Sequence, residues 1–524
     1  MSHCWQPEEI RAADEAVLGT AIADIAAQVF VTPIAAVEHW ARLDPHARCL
    51  RADQQALSYG AVAQLSFALS EEFKNLGVRP GNRVVLELEN GLGVVLSFLA
   101  LNRLGASAVV ISPRLSEFER QKIIAHALPL AVITAVATPI SNLIQNLLTT
   151  GLLSALGLHW SDDAQSSITD RDNHPLAENV AVMIYTTGTT GAPKGVMLTH
   201  LNLMFTGLVS GKLRGLGRAD RVLTALPLSH AFGLSAVLCS VLAQGASLEL
   251  MAKFSAEAVL ARLVDASITG FLGVPAMYTQ LVSRDADPSS RYPFLRFMFS
   301  GGAPLDPTLK TAVEERFGLP LHNGYGLTES GPTIAQTRLY APLTDTSVGF
   351  VIPGVDYQII DSLGSGDGIG ELQVRGPNIM AGYYRDAVQT KAILSDGWLA
   401  TGDLARINIH GALEIVGRIK ELIIKNGFNV YPPEVEAALL SLPEIIQAAV
   451  MGQAVTGNER IVAFVQTSPP GLALDLVWVN QQLRSSLAGY KLPDEIQVLD
   501  HLPAAPSGKI LKHQLADRLR QPAR

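Results

Sequence analysis

Residues Tyr185–Val196 read YTTGTTGAPKGV. Between an apolar run ending at Ile184 and the cation Lys194, five small hydroxyl or glycine residues follow one another from Thr187 to Gly191. Such a segment cannot pack into a core. Its glycines let backbone N–H groups turn toward an anion, Thr186, Thr187, Thr189 and Thr190 add hydroxyl donors around Gly188, and Lys194 adds a point charge. Polyphosphate is the natural ligand. A Walker A loop demands Gly-Lys-Ser/Thr, whereas here Pro193 precedes the lysine and Gly195 follows it. Alone, a Gly/Thr-rich turn is equally a surface linker, so the rest of the chain has to decide.

At 524 residues the chain exceeds one ordinary core, and two or more domains are expected. A content of 48% hydrophobic and 17% charged residues is globular rather than disordered. The net charge of −8 does not suit a nucleic-acid backbone. Cys4, Cys49 and Cys239 form neither a metal spacing nor a disulfide frame, and the N-terminus lacks a basic start and an apolar core, so no signal peptide is read. A reducing, cytoplasmic interior is expected. The charge-free stretches Ala127–Ser161 and Val222–Leu248 are broken by proline and polar residues, which favours buried sheet and helix over membrane spans.

In chain order, a helix from Ser58, a strand Arg83–Leu88, a helix Gly91–Leu104 and a strand Ala108–Ile111 form a βαβ unit. The pattern returns at Arg221–Leu226, Ala231–Ala243 and Ser247–Leu250, with NRVV at Asn82 answered by DRVL at Asp220 and LGAS at Leu104 by QGAS at Gln244. Two similar α/β lobes follow, whether by duplication or coincidence. A ligand cleft between them would lie beyond the carboxyl ends of their strands. Another strand, Phe297–Ser300, runs into Gly301-Gly302-Ala303, where paired glycines let a flat group lie on the backbone; Asp306 caps the helix that Pro307 begins. Beyond Gly354, short alternating strands suggest a small β-barrel-like subdomain, and from about Lys420 a separate mixed domain. The expected fold is α/β: a large N-terminal domain, residues 1–417, of two α/β lobes plus that subdomain, and a small mobile α+β domain, residues 418–524.

The loop, GYGLTE (Gly324–Glu329), WLATGD (Trp398–Asp403), GRIKELIIKNGFNVYPPEVE (Gly417–Glu436) and LPAAPSGKIL (Leu502–Leu511) stand in one order. Together they resemble the adenylate-forming superfamily, most nearly its bacterial acyl-CoA and aryl-CoA synthetases, over roughly residues 30 to 515. The resemblance implies ATP-dependent activation of a small carboxylic acid to an acyl-adenylate, followed by transfer to a thiol, with ATP, Mg²⁺ and coenzyme A or the phosphopantetheine of an acyl carrier protein as cofactors. It implies that the loop and Lys194 hold the β- and γ-phosphates, that Thr328 contacts the α-phosphate, and that Glu329 helps hold Mg²⁺. Asp403 and Arg418 fall on the ribose side, Gly301, Gly302, Ala303 and Tyr325 on the adenine. Lys509 bridges substrate carboxylate and α-phosphate, Lys420 is the hinge, and Gly427 lines a thiol tunnel. His230 gates the acyl pocket, whose other candidates are Ala231, Phe232, Gly233, Val274, Met277 and Gly326.

Departures narrow the substrate. HAFGL at His230–Leu234 lacks the aspartate with which peptide-synthetase domains pair an amino group, which disfavours amino acids. Ile424 and Asn426 replace lysines of plant coumarate ligases and luciferases, favouring a fatty or aromatic acid over a hydroxycinnamate. The alternatives are a ligase that loads a carrier protein and an inactive homologue that binds an acyl-adenylate; the latter is disfavoured because Lys509, Glu329 and Asp403 are all present. Which acid, which thiol and what oligomeric state are left open.

Overall fold

The computed structural model describes residues 7–135, 152–161, 179–187, 193–265, 267–284, 292–361, 366, 368–455, 458–503 and 510–519. Gly188, Thr189, Thr190 and Lys509 lie outside the described residues.

Two sheets make the large N-terminal region. The seven-stranded one runs Gly382–Tyr383, Pro193–Thr199, Val180–Thr187, Ser107–Ile111, Arg83–Glu87, Ala131–Ala135, Leu158–Ser161. Its central strands are parallel and carry continuous apolar runs, Val84–Leu86, Ala108–Ile111 and Ala131–Ile133, buried on both faces, as helices on either side require. The nine-stranded sheet is parallel from Leu321–Tyr325 through Phe297–Ser300, Gly270–Gly273, Arg221–Thr224 and Ser247–Leu250 to Arg48–Ala52. That last strand precedes the first βαβ unit yet pairs with the second lobe, an exchange that the sequence pattern does not reveal.

The echoed tetrapeptides are one structural device used twice. Asn82 Oδ1 accepts from Arg79 N at 2.8 Å and its carbonyl accepts from Ser107 N at 2.8 Å. Asp220 Oδ2 accepts from Gly217 N and its carbonyl from Ser247 N, each at 2.9 Å. Gly105 and Gly245 end the intervening helices at φ +66° and +68°, a left-handed turn that disfavours a side chain. The second of those helices differs from expectation: Phe232–Cys239 is π-helical, and only Ser240–Gln244 is α-helical. A Cβ on Gly233 would lie 2.4 Å from Pro227 O, so the wider turn depends on glycine there.

Asn90, just past the Arg83–Glu87 strand, joins the lobes. Its Nδ2 donates to Leu226 O at 2.8 Å and Met251 O at 3.2 Å, and its Oδ1 accepts from Leu228 N at 2.9 Å. A smaller antiparallel sheet of five strands follows, centred on Trp398–Ile407. The smaller C-terminal region is α+β, with the hairpin Ile423–Lys425/Phe428–Val430, the three-stranded sheet Ile445–Val455, Asn458–Thr467 and Glu495–Val498, and its own core around Val435, Val450 and Phe464. Among the described residues no single helix is long and apolar enough to cross a membrane.

The N-terminal helix Pro7–Leu18 has a structural task. Asp14, 3% exposed, receives Nε and Nη2 of the fully buried Arg338 at 2.8 and 2.9 Å, and Arg338 also donates to the carbonyls of Gln336, Phe350 and Val351. Removing one partner strands a buried charge. Asp14→Ala should therefore destabilise by about 3–5 kcal/mol, read as a lower urea midpoint, and Asp14→Ala/Arg338→Met should recover part of it. An unchanged midpoint for the single variant would refute this account.

Candidate active site

The parallel strands deliver their carboxyl ends to one edge, and the candidate residues gather there. Phe297–Ser300 leads into Gly301 and Gly302. A Cβ on Gly301 would meet the Phe232 ring at 3.3 Å, one on Gly302 (φ +79°) the Val274 Cγ1 at 3.7 Å, and one on Gly273 the Met277 Sδ at 3.4 Å. Phe232, Val274 and Met277 thus line the same edge as the glycine pair. Ala231 and Gly233 are buried beside them. His230 is exposed to solvent, and desolvation by the surrounding protein lowers its pKa.

Leu321–Tyr325 carries the next group. At Gly326 the chain folds back so tightly that a Cβ would lie 1.5 Å from Pro332 O. This fold-back produces the short turn Thr328–Ser330, with Thr328 and Glu329 half-buried. Tyr325 Oη donates to Asp403 Oδ2 at 2.6 Å, and Arg418 Nε donates to Asp403 Oδ1 at 2.8 Å. Asp403 and Arg418 are register partners on adjacent strands, so the pair is built into the sheet. Asp403 is only 2% exposed, and a ligand reaching it would share its oxygens with Tyr325 and Arg418. Burial would lower the Arg418 pKa, but Asp403 and Glu421 outweigh it and raise it; Tyr325 is pushed far up by burial and by Asp403.

On the other sheet, Thr186 pairs with Lys194 across the antiparallel strands Val180–Thr187 and Pro193–Thr199. Lys194 Nζ lies 4.9 Å over the Tyr383 ring, whose hydroxyl donates to Glu329 Oε1 at 2.7 Å. The loop cation and the GYGLTE carboxylate therefore meet across one aromatic ring. Lys420 and Gly427 do not join this cluster in any described contact. Lys420 is exposed in the turn Ile419–Glu421, and Gly427 (φ +80°) forms with Asn426 the two-residue turn of a hairpin, facing open space.

Comparison with known proteins bears on this arrangement. The AMP-binding enzyme family matches residues 37–384, and the AMP-binding enzyme C-terminal domain matches 434–509. The chain belongs to the AMP-binding enzymes. It is 32% identical to a feruloyl-CoA synthase of Amycolatopsis sp over 489 residues, covering 91% of this chain and 97% of that one. Among solved structures it resembles ATP-bound MatB from Rhodopseudomonas palustris (27% identity, TM-score 0.79, covering 93% and 99% of the two chains). It also resembles the o-succinylbenzoate coenzyme A synthetase of Bacillus subtilis in complex with ATP and magnesium ion (26%, TM-score 0.77, 92% and 99%).

For an AMP-binding enzyme the donor set is informative. Among the described residues no cluster of three metal-ligating side chains occurs. Glu329 offers one carboxylate whose Oε2 is unengaged among the described residues, which fits Mg²⁺ that arrives on ATP with phosphate and water oxygens completing its shell. Sequence reasoning missed Tyr383, Asn90 and the aromatic group in which Tyr185 Oη lies 2.8 Å from His126 Nδ1 and His126 sits edge-on to Tyr384 at 5.7 Å. A GYY triplet in a turn carries no chemical signature of its own.

Two further histidines lie behind the site. His322 stacks on Phe299 at 4.6 Å, and burial, with Lys310 and Arg214, lowers its pKa to about 3; burial alone lowers that of His200 to about 4. Both stay neutral in the fold while the unfolded chain protonates them near 6.5, so stability falls as pH drops below that value. Each should cost roughly 1.4 kcal/mol per pH unit, down to about pH 4 for His200 and about pH 3 for His322. His322→Phe should flatten the slope of unfolding free energy against pH; an identical slope would remove His322 from the account.

Proposed function

We infer that this chain is an AMP-forming acid:thiol ligase acting on an uncharged aliphatic or aryl carboxylic acid. A carboxylate oxygen attacks the α-phosphorus of ATP and the bond to the β-phosphate breaks, releasing pyrophosphate; the sulfur of coenzyme A then attacks the acyl carbon and AMP leaves. No side chain is modified, so positioning and charge supply the rate. The observation that carries the reading is the convergence of Lys194 and Glu329 on one side of the cleft edge with Tyr325, Asp403 and Arg418 on the other.

In this reading Thr186, the loop and Lys194 hold the β- and γ-phosphates, Thr328 the α-phosphate and Glu329 Mg²⁺. Gly301–Ala303 and Tyr325 flank adenine, and Asp403 with Arg418 takes the ribose. Phe232, Val274, Met277 and Gly326 border the acyl group, with His230 at the thiol's approach. Residues 418–524 turn about Lys420 as a mobile domain, withdrawing Lys509 after adenylation and bringing Gly427 to the thiol. The curated relatives include feruloyl-CoA synthases, so the residues at Ile424 and Asn426 do not by themselves set aside a phenylpropenoid acid.

One observation favours a second acceptor, the phosphopantetheine of a carrier protein. Lys425 Nζ is bound to Asp494 and Leu492 O, and Lys491 to Glu434, which leaves those cations near the Gly427 turn already paired rather than free for the 3′-phosphate of coenzyme A.

The test is ATP- and Mg²⁺-dependent pyrophosphate release over aliphatic, benzoic and phenylpropenoic acids, with and without coenzyme A. Multiple turnovers only with coenzyme A uphold the ligase; a single equivalent regardless of it points to a carrier protein; no release with any acid overturns the reading. Lys509→Ala should lower adenylate formation by about 10²–10³-fold, as loss of one preorganised charge does, while sparing transfer from supplied acyl-adenylate. Equal loss of both steps would remove Lys509 from its role.

A further inference from the structure

The turn after Asn378 brings into the site a side chain that no motif assigns. Gly382–Tyr383 pairs antiparallel with Pro193–Thr199, Tyr383 opposite Val196, and Tyr384 N donates to Gly195 O at 2.8 Å. Lys194, two residues from Val196, is therefore a diagonal neighbour of Tyr383 on the same face. Tyr383 is 7% exposed, and its backbone N–H donates to Thr390 Oγ1 at 2.9 Å, which anchors the strand that carries the ring. The Glu329 turn is fastened to the same segment by Met380 N donating to Glu329 O at 2.9 Å.

Glu329 and Lys194 carry opposite charges in a partly dry cleft, where a contact pair at an effective dielectric near 20 attracts strongly. Yet among the described residues neither forms an ion pair, with the other or with any third group. Between them stands Tyr383, its hydroxyl on the carboxylate and its face under the ammonium. We propose that Tyr383 is a positioning residue that keeps Glu329 and Lys194 apart and aimed, so that the metal ion and the polyphosphate of ATP meet two charges that have not neutralised each other. This rests on the reading above, in which Glu329 takes Mg²⁺ and Lys194 takes phosphate. The hydroxyl serves the metal side and the ring serves both, a division of labour that substitution can separate.

The experiment measures binding, apart from turnover. Affinity for a non-hydrolysable ATP analogue is followed by calorimetry with and without Mg²⁺, and Mn²⁺ binding to the analogue complex by electron paramagnetic resonance, for wild type, Tyr383→Phe, Tyr383→Leu and Glu329→Gln. Tyr383→Phe keeps the spacer and loses the donor. It should raise the metal concentration for half-saturation about tenfold, the size of one hydrogen bond to a charged group, with metal-free analogue affinity within about twofold. Tyr383→Leu loses the spacer too and should weaken metal-free affinity by about fivefold or more as Lys194 closes on Glu329; if it does not fold, Tyr383→Phe decides alone. An unchanged metal requirement in Tyr383→Phe overturns the proposal, as does a loss in both variants that merely follows a lower Tm. An unchanged metal requirement in Glu329→Gln would instead sink the assignment of Glu329, leaving the two failures distinguishable.

Discussion

One amide holds the cleft together. Asn90 ends the first lobe's strand and spends its side chain on Leu226, Leu228 and Met251 of the second, the residues that follow two of that lobe's parallel strands. A carbonyl acceptor and an NH₂ donor on one short side chain suit two frayed strand ends that need partners of both kinds. Through this contact the carboxyl ends of two separate sheets come to one edge, and everything placed on those ends shares one space. The segment Met380–Tyr384 adds the second tie, binding the Glu329 turn to the strand that carries Lys194.

The two flanks of the cleft are electrostatically unlike. At the Tyr325 end, Asp403 and Arg418 neutralise one another on adjacent strands, giving a preorganised polar surface that pays no reorganisation when a neutral sugar binds. At the Tyr383 end, Glu329 and Lys194 form no ion pair among the described residues, which suits a ligand that itself brings both negative oxygens and a cation. On the proposed reading the contrast divides the nucleotide along its length: hydrogen bonding toward the nucleoside, bare charge toward the phosphates.

Much of this was legible in the chain. The helix cap at Asp306, the strand that ends at Gly301, the paired lobes and the order of motifs are local patterns, and local patterns need only propensity and spacing. The tetrapeptide echo was legible as letters, and the structure supplies its meaning as a shared pair of hydrogen bonds, one accepted by the side chain and one by the backbone carbonyl. The illegible parts are long-range choices. Nothing near Asn90 or Tyr383 indicates a partner far along the chain, and the exchange of Arg48–Ala52 into the other sheet reflects a pairing that alternation cannot specify. The π-helical stretch was missed because apolar periodicity does not separate a wide turn from a regular one, and only the clash at Gly233 does.

The Asp14–Arg338 pair spans 324 residues, which gives the first helix an unusual history during synthesis. A chain leaving the ribosome at about 5–20 residues per second makes Arg338 roughly 16 to 65 s after Asp14. For that interval the helix can form and lean on the helix that carries Lys212, but its carboxylate lacks the guanidinium and its buried Ile10 lacks the cover of Ala341, Phe350 and Ala412. The helix Pro7–Leu18 thus completes its seat only once the Arg338 region is made, and a nascent chain halted before residue 338 would leave its Ile10 face open as an apolar handle.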